Sequence, residues 1–241
     1  MRSYPHTLVD FIRADGATHY WPMSEAAGAT TMTDVIGGNT LNLTGCTTGT
    51  AGRSGPNALS LNGTSSDHAQ TASSLNLSGS DKWTFECLIK PGTYIGGYGF
   101  LWELSTNTNS FFDGLFFAID GGVTGSESLM CAAHQGDIGY SIGTYTRMSA
   151  GSYHLLAGTY DKSQSSAEVN VILDGSLLTP SARLLDLNNT NAFGNYTFYV
   201  GARAGTSNYG VDKIIQHLAI YPSVLTPTRL LQHTKAALLG Y

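Results

Sequence analysis

Acidic, aromatic and amide side chains carry whatever chemistry this chain can do. Among the acids, Glu25, Asp34 and Asp212 have the most suggestive surroundings. Calcium is held by several hard oxygens, charged ones among them. Glu25 and Asp34 lead into the VIGGN turn (35–39), whose carbonyls could complete an oxygen cage. Asp212 lies in GVDKIIQHLAIY (210–221) beside Gly210, where a short carboxylate suits an Asx-type turn ahead of a buried strand. A turn is the expected role of Asp212, with metal ligation and acid–base chemistry as alternatives.

Cleaving a glycosidic bond with retention requires two carboxyl groups about 5 Å apart on one side of a sugar. Glu86 in WTFECLIK and Glu103 in LWELS each stand alone, with no acid two or four positions away on the same strand face. Both are expected on solvated faces, and a hydrolase would need acids paired across strands. GYSIG (139–143) matches the spacing of a nucleophile elbow. That device needs a strained strand-to-helix turn, whereas the residues after Ser141, IGTYTRMSAGSYH, are strand-like and broken by glycines. No phosphate-cradling loop, dinucleotide glycine fingerprint or H-E-x-x-H pair occurs. The expected protein is not an enzyme.

Binding chemistry has better material. Sugars are gripped by aromatic faces against their apolar patches and by amides and hydroxyls against their ring oxygens. Tyr94 and Tyr98 in GTYIGGYGF, Asn109 and Phe112 in STNTNSFFDG, and Tyr209 in GTSNYG supply that mixture on segments between strands. The alternative fate of each aromatic is to plug an end of the core.

The elements that must hold these residues are short strands. Period-two runs recur, among them NALSLNG, KWTFECLIKP, YHLLAGTYD, AEVNVILDG, YTFYVGA and IIQHLAIY, bounded by Gly, Asn, Ser and Asp. Such runs predict an all-β chain, two antiparallel sheets packed as a sandwich. Helix is expected at the two ends only: at HTLVDFIRADG, ended by Gly16, and at TPTRLLQHTKAALLG, where Thr226 caps, Pro227 takes the first helical position and Gly240 stops it. The expected organisation is an N-terminal extension with a short helix (1–17), one sandwich (18–225) and a C-terminal helix (226–241). Cys87 keeps phase with Trp83, Phe85 and Ile89 and is read as a buried thiol, since the three cysteines have no metal-ligand spacing.

Charge narrows the partners. Only 12% of the 241 residues are charged, against about 25% in ordinary soluble domains, and the net charge is −5 with twelve scattered Lys and Arg. A phosphate backbone would find no basic stripe, so nucleic acid is not an expected partner. The first residues, MRSYPHTLVDFIRADG, lack the apolar run of an export signal, and no stretch approaches about 18 apolar residues, so no signal peptide and no membrane insertion are expected.

Five stretches in order, HYWPMSEAAGATTMTD (19–34), GPNALSLNGTSSDHAQ (55–70), WTFECLIKP (83–91), YHLLAGTYDKSQSSAEVNVILDG (153–175) and VGA (200–202) followed by IIQHLAIYPSVLT (214–226), resemble the laminin G-like members of the concanavalin A-type lectin and glucanase superfamily. The resemblance implies a concanavalin A-like jelly-roll sandwich. Asp174-Gly175 then closes a hairpin, Trp21 fills the space between sheets, and His154 packs. It also implies a structural calcium, because an acid in the family's last strand looks like a calcium ligand; here that position is Gln216, an amide and a weaker ligand. The E-x-D-x-x-E strand of the related glucanases has no counterpart.

The segments 9–30 and 217–238 are especially similar to laminin G-like domains of bacteriophage tail and virion-surface proteins. That similarity implies a virion or extracellular surface, with cell-surface carbohydrate, other virion structural proteins and copies of the same chain as partners. The expected function is noncatalytic carbohydrate binding or adhesion to host glycans. A purely structural or decoration role is the alternative, and a glucanase-type hydrolase a second one. The terminal helices are expected to dock on their own sandwich rather than on a neighbouring subunit.

Overall fold

Local sequence sets where each element starts and stops. The computed structural model describes residues 7–63, 67–92, 98–105, 114–120, 128–135, 139–145, 148, 150–180, 182–184, 193–203 and 210–239. Helix α1 (Leu8–Ala14) opens on a capping box, with Thr7 and Asp10 bonding to each other's backbone N–H. The strands follow as β1 (His19–Trp21), β2 (Thr31–Met32), β3 (Leu41–Thr44), β4 (Thr47–Ala51), β5 (Asn57–Asn62) and β6 (His68–Thr71). Then come β7 (Leu75–Asn76), β8 (Lys82–Pro91), β9 (Tyr98–Ser105), β10 (Gly114–Asp120), β11 (Ser128–Gln135) and β12 (Gly139–Tyr145). The last are β13 (His154–Asp161), β14 (Val169–Leu173), β15 (Ser176–Leu177), β16 (Ala182–Leu184), β17 (Asn195–Val200) and β18 (Asp212–Tyr221). Helix α2 (Pro227–Leu239) begins at Pro227, as expected, with Arg229 N donating to the Thr226 hydroxyl (3.2 Å). Gly240 lies outside the described residues.

The strands form two antiparallel sheets, the expected sandwich. The smaller runs β15-β14-β13-β8-β18-β5-β4, with β1 also on β18. The larger runs β16-β12-β11-β10-β9-β17-β6-β3-β2, with β7 also on β17. The β14–β15 hairpin turns at Asp174-Gly175 with φ of 51° and 78°, the primed-turn geometry that the Asp-Gly pair favours. β18 starts earlier than the sequence reading allowed. Asp212 is not in a turn ahead of it but is its first residue, paired with Asn62.

Alternation along the strands divides inside from outside. Trp83, Phe85, Cys87 and Ile89 of β8 face the other sheet and join Trp21, Trp102, Phe117, Tyr160 and Phe198 in the core. Trp21 is fully buried, tilted against Phe198 at 5.6 Å, and its indole N–H donates to the Asn39 carbonyl (2.8 Å). Burial pushes the Cys87 thiol far up, so it stays protonated and inert. In β18 a bulge shifts the phase: His217 takes φ of 51°, after which Leu218 and Ile220 point inward, Ala219 and Tyr221 outward.

The outward face of the smaller sheet is covered. Leu8 and Ile12 of α1 and Leu230, Ala236 and Ala237 of α2 pack on Tyr20, Leu88, Leu155, Ala157, Ile172, Ala219 and Tyr221 as a second apolar layer. Both terminal helices dock on their own sandwich, with fully buried Leu or Ile side chains contributing about 1.5–3 kcal/mol each.

Candidate functional site

With helices over the outer face of the smaller sheet, the outer face of the larger one presents accessible polar side chains among the described residues. Register places Asn42 beside Gln70, Gln70 beside Tyr199, and Tyr199 beside Glu103, one row across β3, β6, β17 and β9. Four strands at about 4.8 Å give a row of ~14 Å. Asn42 is exposed, and Gln70 and Tyr199 are half-buried, so this row offers an aromatic ring flanked by amides to solvent. Tyr196, Phe198 and Val200 turn the other way into the core, which is why Tyr199 must face out.

One end of the row is fixed by Arg203. Its Nε donates to Glu103 Oε1 (3.3 Å) while its guanidinium lies 5.2 Å from the centre of the Phe100 ring. Residues 100 and 103 would normally face opposite sides of a strand. The register shift of β9 against β10, where Phe117 pairs with Trp102 but Ala118 with Phe100, brings both to the outer face. Glu103 and Arg203 are each buried, so Glu103 is not the solvated face residue that its isolation in sequence predicted. Tyr199, Gln70 and Arg203 were not singled out from sequence. The alternation of NYTFYV shows that Tyr199 faces opposite to Phe198, but nothing in it shows which sheet is left uncovered.

Glu86 corrects the sequence reading more sharply. It points to the outer side of its sheet, as its phase requires, yet it is fully buried because both terminal helices lie over it. Tyr221 OH donates to Glu86 Oε1, and His233 Nδ1 lies 3.0 and 3.1 Å from the two Glu86 oxygens. His233 Nε2 contacts Asp15 Oδ2 (2.8 Å), and the single Nε–H of Arg229 is shared between the two oxygens of that carboxylate (2.8 and 2.6 Å). Burial lowers the His233 pKa, but Glu86 and Asp15 outweigh it and the net shift is upward.

The three acids read as cation ligands do not converge. Asp34 Oδ1 accepts from the backbone N–H of Tyr20 (3.0 Å), Ile36 (3.1 Å) and Gly37 (2.9 Å), and Oδ2 from His19 Nδ1 (2.7 Å) and Asn39 N (3.1 Å). Five donors fill a carboxylate with about four lone-pair sites, so Asp34 organises the VIGGN turn instead of an ion. Glu25 Oε1 accepts from Thr33 N (2.7 Å). Asp212 heads β18, whereas Asp34 binds Tyr20, opposite Ala219, so seven residues or roughly 20 Å of strand separate the two sites. Among the described residues no group of three or more His, Cys, Asp or Glu side chains is placed to hold a metal.

Gln216, at the position where the resemblance implied an acid, is likewise engaged. Its Oε1 accepts from Arg53 N (2.7 Å) and Ser54 N (3.2 Å), and its Nε2 donates to Ser54 O (3.2 Å) and Asn57 O (2.6 Å). A carboxylate could not donate those last two bonds. Gly52 makes room, since a Cβ there would come within 2.2 Å of Nε2. His217 helps: Nε2 faces Ser54 O (3.0 Å), which leaves Nδ1 to accept from Tyr20 OH (2.6 Å), and burial holds its pKa down and the ring neutral.

Burial alone would raise the Asp34 pKa, but the bonds from His19, Tyr20, Gly37 and Asn39 bring it from 3.8 to about 2. Its contribution to stability, ~2 kcal/mol, is therefore complete above pH 3.8 and lost as pH falls towards 2. Asp34→Asn is expected to melt below the native chain at neutral pH, with the gap closing in acid, as thermal scans across that range will show.

Of the expected sugar contacts, Tyr94, Asn109, Phe112 and Tyr209 lie outside the described residues, and Tyr98 is described as a strand residue only. Their flanks separate them into two groups. Gly92 N donates to Asp212 O (2.9 Å) and Gly99 sits against Val211, so the described residues flanking Tyr94, Tyr98 and Tyr209 lie at one end of β9. Ser105 and Gly114, which bracket Asn109 and Phe112, lie at the far end of β9.

Known proteins share this architecture. Residues 62–230 match a laminin G-type model described as the concanavalin A-like lectin/glucanases superfamily. No curated protein matches. Domain 4 of AbnA, a GH43 extracellular arabinanase from Geobacillus stearothermophilus solved in complex with arabinotriose, superposes with a TM-score of 0.64 at 17% identity, over 90% of this chain and 98% of that one. The receptor binding domain of botulinum neurotoxin type G gives 0.64 at 13%, over 91% and 51%. A Trypanosoma rangeli sialidase gives 0.62 at 12%, over 92% of this chain and 33% of its own, so the present chain spans about a third of that enzyme. At these identities the likeness concerns the fold alone.

Proposed function

Since the chain belongs to the concanavalin A-like lectin/glucanases superfamily, we propose that it is a noncatalytic carbohydrate-binding domain and that the outer face of its larger sheet is the binding surface. One observation carries this: both helices cover the opposite face, while on the larger sheet Tyr199 stays half-exposed between Gln70 and the clamped Glu103–Arg203 pair. The ligand is a neutral oligosaccharide, because Glu103 and Arg203, the charged residues of this row, neutralise each other. Arabinotriose, with which the arabinanase domain was solved, belongs to that chemical class. A binding role without cleavage is supported by Glu86 lying under the helices and Glu103 holding Arg203. Tyr94, Tyr98, Asn109, Phe112 and Tyr209 are proposed as further contacts to the sugar. The setting we propose is a virion or extracellular surface, on the similarity of segments 9–30 and 217–238 to phage tail and virion proteins.

Calorimetric titration with neutral oligosaccharides tests the reading. Tyr199→Ala is expected to weaken binding at least tenfold, ~1.4 kcal/mol, with an unchanged melting temperature because the ring is half-exposed. Undiminished affinity in that variant moves the site elsewhere. Silence of the native chain at millimolar ligand removes the carbohydrate reading and favours a structural role in a virion assembly.

A further inference from the structure

The buried chain of charges beneath the helices lies on the sheet opposite the proposed sugar surface. A neutral imidazole has one N–H, and His233 presents each of its ring nitrogens to a carboxylate, Glu86 on one side and Asp15 on the other. With both carboxyl groups ionised, the two contacts are satisfied together only by the imidazolium. The charges then balance: Glu86 and Asp15 against His233 and Arg229. Without the ring proton, one nitrogen lone pair would face a carboxylate in a fully buried position, and the layer would carry a net negative charge.

We propose that His233 is a proton-operated latch: its imidazolium ties α2 to Glu86 of β8 and to Asp15 at the end of α1, holding both helices over the smaller sheet, and loss of the proton loosens them.

Every element packed here takes part. β18 contributes Tyr221, which bonds Glu86, and His217, and β1 contributes Tyr20, which bonds His217. From α1 come Phe11, stacked on His233 at 5.5 Å, and Arg13, and α2 itself provides Arg229, whose guanidinium lies 4.7 Å from the Phe11 ring. β13 offers Leu155 and Ala157 to this layer. The neighbouring Tyr221 phenol is held protonated, its pKa pushed up by burial and by Glu86, so it remains a neutral donor to Glu86. His233 titrates above its ordinary 6.5, so the latch is complete below that pH and fails as pH rises through the raised value. What loosening uncovers is the apolar layer of Leu88, Leu155, Ile172 and Ala219.

The test uses the full chain. NMR titration of the His233 ring gives its midpoint, and hydrogen exchange gives protection factors for residues 227–239 from about pH 6 to about pH 9. Protection of α2 is expected to fall at least tenfold, with a midpoint matching the His233 titration above 6.5, while β9 and β17 keep theirs. In His233→Gln, α2 is expected to be less protected and insensitive to pH. A His233 midpoint at or below 6.5, flat protection of α2 in the native chain, or the same pH dependence in His233→Gln overturns the latch. The first two readings need no variant, so the proposal stays falsifiable if His233→Gln does not fold.

Discussion

Glu86→Ala is expected to lower the free energy of unfolding by ~3–5 kcal/mol, among the largest effects of any single change here. Glu86 is fully buried and accepts from Tyr221 and His233, so truncation leaves a phenol and an imidazole facing an empty, dry site. His233 would still be tied to Asp15 and loses only its sheet anchor. Glu86→Gln should cost less, since its amide oxygen can still accept from Tyr221 while the charge is gone. Denaturant midpoints at neutral pH measure both. An alanine variant within about 0.5 kcal/mol of the native chain, the range of ordinary surface changes, would mean that Glu86 is solvated after all and that the helices are not docked over it.

Trp21→Ala is expected to cost a comparable ~3–5 kcal/mol. The ring has no exposed surface, lies against Phe198 and stacks on His19 at 5.6 Å, and its N–H satisfies the Asn39 carbonyl. Trp21→Phe should recover most of the packing but not the hydrogen bond, leaving a deficit of about 1–3 kcal/mol from the unpaired carbonyl. A surface ring gripping sugar would behave otherwise. A platform would lose affinity and keep stability, so a titration and a melt on one variant distinguish the two roles.

The sequence reading went as far as periodicity carries. Period-two runs such as KWTFECLIKP placed Trp83, Phe85, Cys87 and Ile89 inside, and Asp174-Gly175 and Thr226-Pro227 marked a hairpin and a helix start that the structure contains. Alternation also puts Glu86 and Glu103 on outer faces. It cannot say what lies over those faces, because Glu86 is buried by α1 and α2, about 70 or more residues away in sequence, and Glu103 meets Arg203, 100 residues on. Bulges were equally invisible. The phase shifts at His217 and between Phe100 and Glu103 decide which side chains share a face, and both arise from strand pairing, not from local propensity. Sequence places Asp34 at the VIGGN turn, but that its oxygens go to backbone N–H groups is visible only once the turn is folded and those groups converge.

The central claim is that the open face of the larger sheet holds carbohydrate and leaves it whole. Its most direct test is to incubate the chain with neutral plant and bacterial polysaccharides, measuring bound protein and newly released reducing ends in the same sample. The account predicts retention on at least one polysaccharide, lost with Tyr199→Ala, and reducing ends at the level of the buffer control. Time-dependent release of reducing ends, or retention that Tyr199→Ala leaves untouched, would contradict it.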